Sequence, residues 1–171
     1  EGQQHWRRRT VTPSVLRDDA VIGIFTLHPT PTVIVASRRG TLLSLSLSLS
    51  LPVREWVSSI GPAAAHAVGA LWTPRTDATS ARLPAGSAML VARDSWMSLV
   101  QPESGAPLGT PCHADAPVLS VVAIPPTASL PPSAMASGCL RLSLPSFFIA
   151  TRTGAYAVTP SHSTRLVRLV D

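Results

Sequence analysis

The chain has 171 residues, enough for one domain with a sizeable core, and with 45% hydrophobic and 13% charged residues it is not dominated by disordered tails. The formal charge is +5 and all 14 basic residues are Arg, with no Lys. Seventeen Pro and ten Gly are scattered between short apolar runs, a punctuation that suits an all-β protein with many turns.

The opening "EGQQHWRRR" lacks the apolar core of a signal peptide, and no run is long and apolar enough to span a bilayer as a helix. The expectation is a soluble intracellular protein, cytoplasmic or nuclear, with the nucleolus included. Because it begins at Glu1, the chain is expected to be a piece of a longer one. "HWRRRTVTP" (5–13) reads as a lone strand.

"DAVIGIFTLHPT" (19–30) then reads as a short apolar strand with a Pro-containing exit, and "TVIVASRRGTLLSL" (32–45) as a β-hairpin turning at Arg39-Gly40. From Leu43 to Leu51, Leu and Ser alternate without a break. A period of two sends Leu to one face and Ser to the other, so the tract reads as a strand. Its length suggests a short strand extended by a CT dinucleotide repeat, whose triplets encode Leu and Ser in turn. "PVREWVS" (52–58) is a fourth strand.

The same order returns twice. "AHAVGALWTPRT" (65–76), the hairpin "AMLVARDSWMSLV" (88–100) turning at Asp94-Ser95, and a weak strand "GAPLGT" (105–110) follow first. Next come "APVLSVVAIPPT" (116–127), the hairpin "FFIATRTGAYAVT" (147–159) turning at Thr153-Gly154, and "STRLVRLV" (163–170). Gly or a small polar residue at each turn permits the positive φ that tight hairpins need. Two long Pro-rich connections, 73–86 and 125–145, interrupt the pattern, and "SGCLRLSLP" (137–145) is a further candidate strand.

Four short strands per unit, recurring at about 50 residues, are the signature of a β-propeller blade. Residues 95–124, "SWMSLVQPESGAPLGTPCHADAPVLSVVAI", resemble the WD-repeat family: a strand, a turn ending in Gly105, a closing strand, His113, then the inner strand of the next unit. His66 stands similarly before Val68. No Trp-Asp dipeptide ends a third strand, which leaves quinoprotein-type and other propellers open. The resemblance implies an all-β partial propeller of about three four-stranded blades: residues 1–18 closing a preceding blade, then blades at 19–62, 63–113 and 114–171. A β-sandwich with regular turn spacing is the alternative fold. Three blades do not close a ring that typically needs four to eight.

On the WD-repeat path, Arg38, Arg93 and Arg152 share one face of the disc, and with Arg39 they form a candidate arc for an acidic peptide or a phosphate backbone. The plain alternative is solvated turn residues. Trp96 is the candidate peptide contact, whereas Trp56 and Trp72 are expected in the packing. Gly40, Asp94 and Gly154 are assigned to the turns, and His66 and His113 to ordering the connections between units.

No catalytic set emerges, no His/Cys cluster has metal spacing, and no Gly-rich phosphate loop is present, so neither metal nor cofactor is expected. Cys112 and Cys139 are expected to be reduced, partly buried thiols. The function expected is a non-catalytic scaffold for protein–protein interaction in a larger assembly. Within that class, residues 19–45 and 53–72 resemble propeller subunits of the small-ribosomal-subunit processome, with RNA or a ribonucleoprotein as possible partners of the Arg-rich face. The alternative is a fragment of a propeller enzyme whose catalytic residues lie outside this chain.

Overall fold

The computed structural model describes residues 16–28, 30–47, 53–74, 83, 85–125, 145–160 and 164–170. The strands are β1 (Val21–Leu27), β2 (Thr32–Ser37), β3 (Thr41–Ser46), β4 (Val53–Ser59), β5 (Ala67–Trp72), β6 (Ala88–Arg93), β7 (Trp96–Val100), β8 (Cys112–His113), β9 (Val118–Ala123), β10 (Phe147–Thr151), β11 (Ala155–Pro160) and β12 (Thr164–Val170). They form three four-stranded antiparallel sheets, each a meander in chain order: β1–β4, β5–β8 and β9–β12. The first strands are neighbours in space, β1 packing on β5 and β5 on β9. No helix among the described residues is long and apolar enough to cross a membrane.

The middle sheet explains why its sequence loses the alternation of a half-exposed strand. Every residue of β6 is at most 1% exposed, because both of its faces are covered. Ala88, Leu90 and Ala92 face the third sheet, where Phe147, Ile149 and Val158 meet them. Met89 and Val91 face the first sheet, against Leu27, Ile34 and Ala36. Burying a Leu, Met or Val side chain contributes about 1.5–3 kcal/mol, so this strand anchors both interfaces.

Two tryptophans tie the sheets laterally. The Trp72 indole N–H donates to Ile124 O at 2.8 Å, and that of Trp56 to Pro102 O at 3.0 Å. Close approach of β1 to β5 also needs a residue without a side chain: a Cβ on Gly23 would lie 2.8 Å from Ala67 O.

Two expectations change. The strand expected at 105–110 is not formed; the fourth strand of the middle sheet is β8 (Cys112–His113). Gly105, at φ 69°, closes a turn on Gln101 O. Pro107, which has no N–H, then makes only one isolated bridge, to Val100. The third hairpin turn also differs. Gly40 (φ 105°) and Asp94 (φ 51°) take the left-handed conformation, whereas Gly154 is not among the positive-φ glycines. There Thr151 closes the loop, its N–H donating to Gly154 O at 2.9 Å and its Oγ1 accepting from Thr153 N at 3.2 Å. The Leu/Ser tract alternates as expected within β3, which ends at Ser46: Leu43 and Leu45 pack with Val35 and Leu16 on the face turned away from the second sheet, and Ser44 is buried too because the opposite face is also covered.

Residues 48–51 of the tract, the lone strand at 5–13 and most of 137–145 lie outside the described residues.

Gly40 carries the sharpest local constraint. Its φ of 105° is strained for any residue with a side chain, and a Cβ there would run into Gly61 O. Gly40→Ala should destabilise the protein by about 1–3 kcal/mol in urea unfolding. Gly109→Ala, where a Cβ meets nothing within 4 Å, should stay within about 0.5 kcal/mol of the parent.

Candidate functional site

The sheets are aligned so that the entrances to β1, β5 and β9 and the turns β2–β3, β6–β7 and β10–β11 share one end. Hydrogen bonds fix this. In the first sheet Arg38 N donates to Ala20 O at 2.7 Å, and in the second Asp94 N donates to His66 O at 3.2 Å. Each chain segment entering the next sheet crosses the previous turn, Ala64 N donating to Arg38 O and Val118 N to Asp94 O, both at 2.9 Å.

An acid closes this end in every sheet. Asp19 accepts from Arg39 N at 3.1 and 3.2 Å. Burial pushes the Asp19 carboxyl up, but the Ser37 hydroxyl, the Arg39 and Ala20 amides and the Arg39 charge outweigh it and hold the group below 3.8. Its contribution to stability is therefore present above that value and is lost as pH falls through the lower folded one.

In the middle sheet Asp94 accepts from Ala65 N at 2.9 Å and lies 2.8 Å from His66 Nδ1, while His66 Nε2 sits 2.9 Å from Val118 O. The imidazole thus bridges the second turn to the third sheet. In the third sheet Asp115 accepts from Thr153 Oγ1 at 2.9 Å and from Tyr156 OH at 2.5 Å. The middle clasp agrees with the roles expected of Asp94 and His66, whereas those of Asp19 and Asp115 were missed in the sequence, although each stands two or three residues before a first strand.

The candidate arginines separate. Arg38, Arg39 and Arg152 are exposed at this end. Arg93 is not on the surface: it is 1% exposed, the last residue of β6, and points with Met89 and Val91 toward the first sheet. Its Nη2 donates to Ser37 O and Arg38 O, both at 3.0 Å, and its Nη1 to Pro62 O at 2.5 Å and Ile60 O at 3.5 Å. Burial lowers its pKa from the ordinary guanidinium value, opposed by the charges of Asp94 and Asp19. Arg93 is a clasp between the first two sheets, and a three-arginine arc containing it is not formed.

Arg38 contributes to the same junction through its backbone, which accepts from Arg93 and Ala64, and its side chain is left outside. Trp96 is half-buried. His113 meets it edge-on with ring centroids 4.3 Å apart, and a Cβ on Gly61 would lie 2.7 Å from its indole nitrogen. His113 itself is exposed.

Among the described residues no group of three or more His, Cys, Asp or Glu side chains is placed to hold a metal ion. Cys112 is a free, half-buried thiol, and burial raises its pKa from 9.0 to about 11. Cys139 lies outside the described residues. Comparison with models of known protein families and with curated proteins returns no match.

Two outcomes follow from this geometry. Arg93→Met keeps the stem and removes the donors that join the first turn to the connection between the first two sheets. It should cost about 3 kcal/mol or more in denaturant unfolding, while Arg152→Met should change stability by less than about 0.5 kcal/mol; equal effects would deny the clasp. Because the thiolate is the reactive form, iodoacetamide at pH 8 should label Cys112 about a hundredfold more slowly in the folded chain than in urea, read by peptide mass spectrometry. Equal rates would contradict its desolvated environment.

Proposed function

We propose that the chain is a non-catalytic scaffold, a run of consecutive blades in a WD-repeat-like propeller that docks protein partners within a larger assembly. The observation that carries this reading is the chain-order meander of all three sheets, with β1, β5 and β9 side by side. Radial repetition of four-stranded sheets is the arrangement in which first strands become neighbours. The recurring acid clasps support it, since each unit uses a side chain to lock the entrance of its first strand to its second turn.

The partner surface in this reading is the common end of the sheets bearing Arg38, Arg39 and Arg152, whose guanidiniums are free to form bidentate contacts with carboxylates. An acidic protein segment is the partner class proposed. The resemblance to ribosome-processing subunits makes RNA the competing ligand, and affinity with a steep salt dependence would favour it.

The test is affinity capture with the complete protein, comparing the parent with an Arg38→Glu/Arg152→Glu variant. Partners retained by the parent should be lost from the variant, with unchanged thermal unfolding. Equal retention would remove this end as the docking surface.

A further inference from the structure

One side of the sheet stack carries a repeated surface whose third occurrence is open. The second strands contain the same motif, a large apolar residue followed two positions later by Ala: Ile34 and Ala36 in β2, Leu90 and Ala92 in β6, Phe148 and Ala150 in β10. In the first two strands these residues face the sheet that comes next in the chain, and in β10 they face away from the second sheet. Ile34 and Ala36 are buried against the second sheet, and Leu90 and Ala92 against the third, all at 0% exposed. In the third sheet Ala150 is exposed and Phe148 only half-buried. Val122, the partner of Phe148 across the β9–β10 ladder, is 58% exposed. The surface that two sheets bury is therefore partly open on the third.

The opposite half is found at the other end of the stack. Ile24 pairs with Val35 on the face of the first sheet turned away from the second. The matching position in the third sheet is Val121, paired with Ile149 and packed into an intersheet core. Ile24 is instead 65% exposed, and Val57, across the ladder from Leu43, is 41% exposed. Leu16 already fills the centre of this face over Val35 and Leu43, so the rim at Ile24 and Val57 is what remains open.

We infer that these two faces bind each other between two copies of the chain, the third sheet of one copy on the first sheet of the other. The occupant follows from the interfaces within the molecule: at both, this motif receives a sheet of the same repeat, and among the described residues the outer face of the first sheet is such a face with apolar side chains exposed. Two head-to-tail contacts give a closed ring of six sheets, within the four to eight that such rings take. The inference rests on the propeller reading above.

The test is sedimentation equilibrium of the full chain from micromolar to submillimolar concentration, with Val122→Glu and Ile24→Glu. The parent should be a dimer and each single variant a monomer. Mixing the two variants should restore a weaker dimer, because one of the two contacts is then intact, and this recovery shows that neither variant is misfolded. A monomeric parent overturns the inference, as does a dimer abolished by Val122→Glu but indifferent to Ile24→Glu, which would be a symmetric contact of two third sheets. Hydrogen exchange on the same samples separates this failure from that of the propeller reading. A monomer with slow amides in β5, β6 and β9 loses only the second copy, whereas fast exchange there removes the stacked sheets themselves.

Discussion

A cation removed from water must find acceptors, and among the described residues that requirement is met where the Arg93 guanidinium reaches the carbonyls of Ser37, Arg38, Ile60 and Pro62. Desolvating a guanidinium is expensive unless its donors are matched. The carbonyls it uses belong to the first turn and to the connection between the first and second sheets, so one side chain joins both stretches of backbone to β6. The register of β2, the left-handed turn at Gly40 and the path of 60–64 are thereby fixed relative to β6.

From that junction the remaining order propagates through β6. Its two faces alternate between the first and third sheets, so a shift of one residue would exchange Met89 and Val91 with Leu90 and Ala92 and turn Arg93 away from its acceptors. The second junction uses a different device, His66 spanning Asp94 and the carbonyl of Val118. Burial supplies most of the driving force at both junctions, and the polar groups select the register.

Much of this was legible in the sequence. Three hairpins, their order and their spacing followed from apolar runs interrupted by turn residues, and the first strands from the runs ending near Pro29, Pro74 and Pro125. The roles of the arginines were not legible, because Arg38 and Arg93 occupy the same place in the repeat. What separates them is turn length. Arg38 lies one residue beyond the end of β2, in a connection that joins the pair Ala36–Leu42, while Arg93 is itself paired with Trp96 across a two-residue turn. The available signal was parity, since Arg93 shares a face with Met89 and Val91 in a strand apolar on both sides. The missing strand at 105–110 was foreshadowed by Pro107, but the pairing of Cys112 and His113 with β7 depends on the turn at Gly105 and left no mark in the apolar pattern.

The three sheets form one stack held through β6, and native-state hydrogen exchange resolved by residue tests this. The amides of Leu90 and Val91 should be among the slowest in the chain and should exchange with the same free energy as those of Ile34 and Ile149, through a single cooperative opening. Three separate free energies, one for each sheet, or fast exchange in β6, would contradict it.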